Sequence, residues 1–321
     1  MNLNTLKPLG FACLMAFGLA ACGGGDKGVS APAGGAASGA APATKTESTL
    51  EKIKASGTIV LGHRDASIPF SYIADNPNQP IGYAHDLQMK VVEAVKKELN
   101  MPDLKVRYNL VTSQNRIPLV VNGTVDFECG STTNNLERQK QVQFSNNFFV
   151  VGTRLLVDKA AGIKDFADLK GKPVVTTSGT TSERLLKEYN DKNQAGMNII
   201  SAKDHGEAFL MLQNGRAQAF MMDDVLLAGA RAKAEDPAKW EIVGTPMSFE
   251  NYGCMMRKDD PAFQKVVNDA MSAVFKSDEI NTMYKKWFES PIPPKNVNME
   301  FPMSDKMKEI IAHPNDKAAD Q

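Results

Sequence analysis

Neither sign of charge is in excess: Lys plus Arg and Asp plus Glu number 37 each in 321 residues. Without a net field the chain has no electrostatic footprint for nucleic acid or for an anionic membrane face, and no nucleic-acid partner is expected. Arginine is scarce, nine against 28 lysines, so an arginine beside a loop or helix start gains weight as a chosen residue. No HExxH, CxxC, GxSxG or phosphate-loop pattern occurs, which leaves metal, thiol, serine-hydrolase and nucleotide chemistry without a starting residue. His205 beside Asp204 has the makings of a base and its orienter, but chain neighbours seldom face each other. The expectation is a binding protein that is not an enzyme, with no cofactor and no metal. The apolar run Phe11 to Leu19 is too short to span a bilayer. What is present, 42% hydrophobic residues, suffices for one large core or two medium ones.

Lys7, the apolar run and then Leu19-Ala20-Ala21-Cys22 occur in the order of a signal peptide. The last four residues are similar to the lipobox of bacterial lipoproteins, which is cleaved before a cysteine that then carries lipid. Residues 1–22 are read as a lipoprotein signal peptide with Cys22 as the lipidation site. Residues 23–48, mainly Gly, Ala, Ser and Pro, are read as a flexible tether. The expected location is the periplasm or cell surface, with the chain lipid-anchored after export. Cys13 would leave with the signal, so Cys129 and Cys254 remain. In an oxidising compartment they form a disulfide with each other, the alternative being two buried free thiols.

After the tether the chain alternates strands and helices. Thr58 to Gly62 reads as a strand ending at His63-Arg64-Asp65, and Asp86 opens a helix with the stripe Leu87, Val91, Val95 and Leu99. The strand Lys105 to Val111 ends at a turn carrying Ser113 and Arg116. The helix Ile117 to Val121 stops at Asn122-Gly123. The strand Val125 to Cys129 delivers Ser131 and Thr133, and Asn134 to Glu137 has cap spacing that puts Arg138 near a first helical turn. A second run repeats this order. Val174 to Thr177 is a strand, and Thr180 and Thr181 open a helix. The strand Met197 to Ser201 precedes His205, another helix stops at Asn214-Gly215, and the strand Ala219 to Met222 ends at Asp223-Asp224. The echo argues for two α/β lobes, and crossings near residues 148 and 248 would hinge them about a cleft.

Open α/β sheets bind ligands beyond the carboxyl ends of their strands, where these polar residues collect. Three arginines and a histidine against one or two acids suit a small ligand with two negative groups and one positive group. The stretches GHRDASIPFSY, TSQNRIPL, DFECGSTTNNLERQ, TSGTTSE, SAKDHGEAF, AFMMDD and YGCMMRKDDP carry a resemblance to the periplasmic solute-binding proteins of polar amino-acid ABC transporters (solute-binding protein family 3). The resemblance implies the type II periplasmic-binding-protein fold, with 49–149 and 247–321 as lobe 1 and 150–246 as lobe 2. It also implies a monomer that binds L-glutamate or L-aspartate, closes on it and delivers it to an ABC permease, meeting the membrane through the anchor alone. Arg138, helped by Thr133 and Thr181, would hold the ligand α-carboxylate. Ser131 and Asp223 would receive the α-ammonium, and Arg64, Ser113, Arg116 and His205 would hold the side-chain carboxylate. The alternatives are a secreted dehydratase-like enzyme of the same fold and a lipoprotein that senses the amino acid without feeding a transporter. The arginines also have a bland reading, surface ion pairs with Asp65 or Glu128.

Overall fold

The computed structural model describes residues 47–319, which fall within one compact unit. The signal peptide, Cys22 and the tether before residue 47 lie outside the described residues. Ser48, counted with the tether by composition, belongs to the fold. Its hydroxyl caps α1 (Thr49–Ser56) by accepting from the Glu51 N–H, and the Glu51 carboxylate accepts from the Ser48 N–H. β1 (Thr58–His63) is buried along nearly all its length because it has a parallel neighbour on each side.

Three short antiparallel strands, β2 (Ala66–Ser67), β3 (Ser71–Ile73) and β4 (Pro80–Ile81), lead into α2 (Tyr83–Leu99). The stripe Leu87, Val91 and Val95 is buried as its spacing predicts. The helix starts three residues before Asp86, the expected opener. Asp86 instead accepts from Lys286 and from the Trp287 indole, each at 2.7 Å. Next come β5 (Lys105–Leu110), α3 (Arg116–Val121), β6 (Phe127–Glu128), α4 (Leu136–Gln139) and β7 (Val142–Phe144). β8 (Phe149–Asp158) leaves this run.

The second run is β9 (Pro173–Thr177), α5 (Thr181–Lys192), β10 (Asn198–Ala202), α6 (His205–Gln213), β11 (Ala219–Asp223), α7 (Asp224–Lys233) and β12 (Trp240–Val243). The chain returns through β13 (Phe249–Tyr252) and β14 (Met255–Arg257). It ends with α8 (Pro261–Phe275), α9 (Glu279–Phe288), the pair β15 (Pro291–Ile292) and β16 (Val297–Asn298), and α10 (Asp305–Ala312).

One sheet has the order β5-β1-β6-β14-β7 and the other β10-β9-β11-β8-β12. In each, the three parallel strands stand in the same order: second, first, third. The repeat extends to the caps, since α3 and α6 both end at Asn-Gly, with Gly123 at φ 75° and Gly215 at φ 70°. β8 joins the two halves. Phe149 to Gly152 pairs with β13, and the remainder pairs with β11 and β12 in the second sheet. The outgoing and returning crossings therefore form one antiparallel ribbon.

Beneath that ribbon, Phe149 meets Phe70 and Phe288, each at 4.9 Å between ring centroids, and Phe70 meets Tyr252 at 5.1 Å. Phe70 is fully buried there, within the hydrophobic core. Cys129 and Cys254 are disulfide-bonded across 125 residues of sequence. The bond lies where β14 rejoins β6 and holds the late segment to the early one.

Candidate functional site

The three parallel strands of each sheet deliver the polar residues to one place. Arg64 follows β1, Ser113 and Arg116 follow β5, and Ser131, Thr133 and Arg138 follow β6. Thr181 follows β9, His205 follows β10 and Asp223 ends β11. All nine are 8% exposed or less, so the surface-ion-pair reading of the arginines fails. Among the described residues none of Arg64, Arg116 and Arg138 has a carboxylate oxygen within 4.0 Å. Among the described residues no group of His, Cys, Asp and Glu could hold a metal ion, and none of the helices described is long and apolar enough to cross a membrane.

Arg64 donates through Nη2 to the Ser113 hydroxyl at 2.9 Å and lies 3.5 Å from His205 Nε2. Its Nε and Nη1 have no protein partner, nor does Nε of Arg116. Gly130 makes room for it, since a Cβ there would stand 3.0 Å from Arg64 Cγ and 2.6 Å from the Glu128 carboxylate. Arg116 occupies the first position of α3, and its Nη1 donates to the Ser131 carbonyl at 2.9 Å and to the Thr132 hydroxyl at 2.7 Å. Arg138 donates through Nη1 to the Thr133 carbonyl at 2.8 Å and through Nη2 to the Gly179 carbonyl at 3.4 Å, the latter reaching the other half.

The cap before Arg138 is one residue later than the spacing suggested. Asn135 Oδ1 accepts from the Arg138 N–H at 2.9 Å. Asn134 is occupied elsewhere, donating to Asn147 and to the Asp316 carbonyl.

Burial, then repulsion from Arg116, pushes Arg64 down to about 10 and Arg138 down to about 9. Both values leave the guanidinium charged at neutral pH. His205 is held well below its usual value by burial and by Arg64 and Arg116, which keeps the ring neutral. A guanidinium can only donate, so Nε2 presents its lone pair to Arg64 and the ring proton sits on Nδ1, 2.8 Å from the Thr177 hydroxyl.

Asp223 is pushed up to about 8 by burial first and by the Glu250 carboxylate second. It accepts from the Tyr252 hydroxyl and, at 3.4 Å, from Ser182. Asp224, its neighbour in the chain, turns away and accepts from the backbone N–H of Val225 at 2.8 Å. Ser131 donates to Ser67 at 3.2 Å.

Sequence reasoning missed Glu250 and Tyr252. Both lie on β13 two residues apart and are fully buried, so strand alternation puts them on one face. Glu250 accepts from Thr133 at 2.5 Å and from Thr181 at 2.7 Å. Glu128, considered before as a surface partner, is wholly buried and accepts from Thr132 at 3.0 Å. A cavity of about 610 Å³ opens at the rim, with Arg138, Thr180, Thr181 and Arg184 in its wall.

The model of the family "Bacterial extracellular solute-binding proteins, family 3" matches residues 59–290. An L-glutamate/L-aspartate-binding protein of Pseudomonas aeruginosa is 68% identical over 273 residues, 85% of this chain and 90% of that protein. A glutamate/aspartate import solute-binding protein of Escherichia coli is 60% identical over 279 residues, 87% of this chain and 91% of that one. Among solved structures, an ancestral amino-acid-binding protein that is a precursor of cyclohexadienyl dehydratase is 31% identical. It superposes with a TM-score of 0.64 over 75% of this chain and 99% of its own. An ancestral arginine-binding protein bound to glutamine is 30% identical, with a TM-score of 0.64 over 72% of this chain and 98% of its own. The two-sheet architecture is thus the type II periplasmic-binding-protein fold, and this chain belongs to the bacterial extracellular solute-binding proteins of family 3.

Proposed function

We propose that this protein captures L-glutamate or L-aspartate between two lobes, 49–149 with 247–321 and 150–246, and delivers it to the permease of an ABC transporter. The observation that carries the reading is the set of three buried guanidinium groups, none with a carboxylate within 4.0 Å, set against the buried acids Glu128, Asp223 and Glu250. An amino-acid dicarboxylate supplies the missing anions and brings one cation for the acids. Arg138 receives the α-carboxylate with the N–H groups at the start of α5, where Thr181 is the first helical residue. Arg64, Ser113 and Arg116 receive the side-chain carboxylate, with His205 holding Arg64 in place. Ser131 and Asp223 receive the α-ammonium. Both lobes contribute, so the ligand stabilises the closed form, which is what a permease recognises. The names of relatives 60–68% identical support the same ligand pair, and support a transport protein over an enzyme.

The protein works outside the cytoplasm. We further propose that it is held at the membrane by lipid on Cys22; Cys22→Ser would move it from the membrane fraction to the soluble fraction. The test of the ligand is mass spectrometry of what the purified protein releases on denaturation, followed by calorimetric titration with glutamate, aspartate, glutamine and arginine. Tight binding of the first two alone is expected, and equal binding of arginine would overturn the reading.

A further inference from the structure

Glu250 touches Thr133 and Thr181, two of the candidate site residues, yet it offers nothing an anion can use. It is fully buried on β13, the returning strand of the ribbon. Its Oε2 accepts the hydroxyl protons of Thr133 at 2.5 Å and Thr181 at 2.7 Å, and its Oε1 accepts from Ser248 at 3.0 Å. Thr133 follows a strand of the first sheet and Thr181 a strand of the second, so one carboxylate gathers a hydroxyl from each half. A hydroxyl has one proton and two lone pairs. With the proton given to Glu250, each threonine turns a lone pair to its other neighbours, and a lone pair repels a carboxylate but accepts from an ammonium. These hydroxyls lie beside Arg138, which donates to the Thr133 carbonyl at 2.8 Å.

We propose that Glu250 is a specificity-determining residue: by fixing the Thr133 and Thr181 hydroxyls as acceptors, it makes the site demand an α-ammonium group. The proposal rests on the reading of the ligand as an acidic amino acid and refines it. The two hydroxyls expected to help Arg138 hold the α-carboxylate face the ammonium instead, leaving the carboxylate to Arg138 and backbone N–H groups. Three guanidiniums alone would welcome any dicarboxylate of the right length. Glutarate has both carboxylates of glutamate and lacks only the ammonium, so the orientation of these hydroxyls adds to Asp223 in excluding it.

The test is calorimetric titration of wild type, Glu250→Gln and Thr133→Val with L-glutamate, with glutarate measured by displacement and folding checked by thermal unfolding. A glutamine amide donates as well as accepts, which frees at least one hydroxyl to turn its proton into the pocket. Wild type should prefer glutamate by about a hundredfold or more, and the preference should shrink by about tenfold or more in Glu250→Gln. Thr133→Val should weaken glutamate and spare glutarate. Equal losses for both ligands in either variant, or glutarate still undetectable in Glu250→Gln, would overturn the proposal while leaving the ligand assignment standing. Failure of wild type to bind glutamate would overturn the assignment and the proposal with it.

Discussion

A buried guanidinium with no carboxylate in direct contact has lost its hydration, and in this site the charge of buried Glu128 offsets part of that cost for three such groups. The acids opposite are less settled. Asp223, ordinarily near 3.8, stands at about 8 through burial and the Glu250 charge, so at pH 7 it is largely protonated. An ammonium placed against it favours the ionised form. Glutamate binding at pH 7 should therefore release up to one proton, and affinity should rise as pH climbs towards 8. The sign for stability is opposite: between about 4 and 8 the folded chain binds more protons at this acid than the unfolded chain, so this term weakens the fold as pH rises. Titrations in two buffers of different ionisation enthalpy should give different heats for wild type and the same heat for Asp223→Asn. Equal heats for wild type would contradict the account. The arginines were legible in the sequence because they are few and sit at strand ends. Glu250 was not, because its threonine partners are 117 and 69 residues away and no local spacing announces them.

At the level of elements, the approach of the two halves depends on a glycine in a helix. Gly229 lies inside α7, and a Cβ there would stand 2.5 Å from the Ile68 carbonyl oxygen, so the turn before β3 rests on bare helix backbone. Alanine suits a helix interior better than glycine by about 1 kcal/mol. Gly229→Ala should leave the unfolding midpoint unchanged or higher while lowering glutamate affinity about tenfold, since it props the cleft open by a fraction of an ångström. Unchanged affinity would mean that this contact plays no part in closure. The repeated order of strands and the twin Asn-Gly caps could be read beforehand because they are local. Helix starts were less legible, since α2 begins at Tyr83 where its turn bonds to the Pro69 carbonyl and α4 is capped from Asn135 because Asn134 serves the chain tail. Those partners are tertiary.

Across the whole molecule, the late chain returns to complete the first sheet, and the Cys129–Cys254 disulfide holds it there. Bridges closing long loops restrict the unfolded chain most, and losing one typically costs about 2–5 kcal/mol. The double variant Cys129→Ala with Cys254→Ala should unfold roughly 5–15 °C lower. Its glutamate affinity should stay within about threefold of wild type, because neither sulfur bonds to a site residue. An unshifted midpoint would show that the sheet alone holds the return strand. The central claim is that guanidinium groups from separate loops hold the ligand between the lobes. Calorimetric titration of Arg138→Ala with L-glutamate tests it most directly. The account predicts a loss of about a hundredfold or more, from a ligand carboxylate buried without its partner; affinity within about threefold of wild type in a folded variant would contradict it.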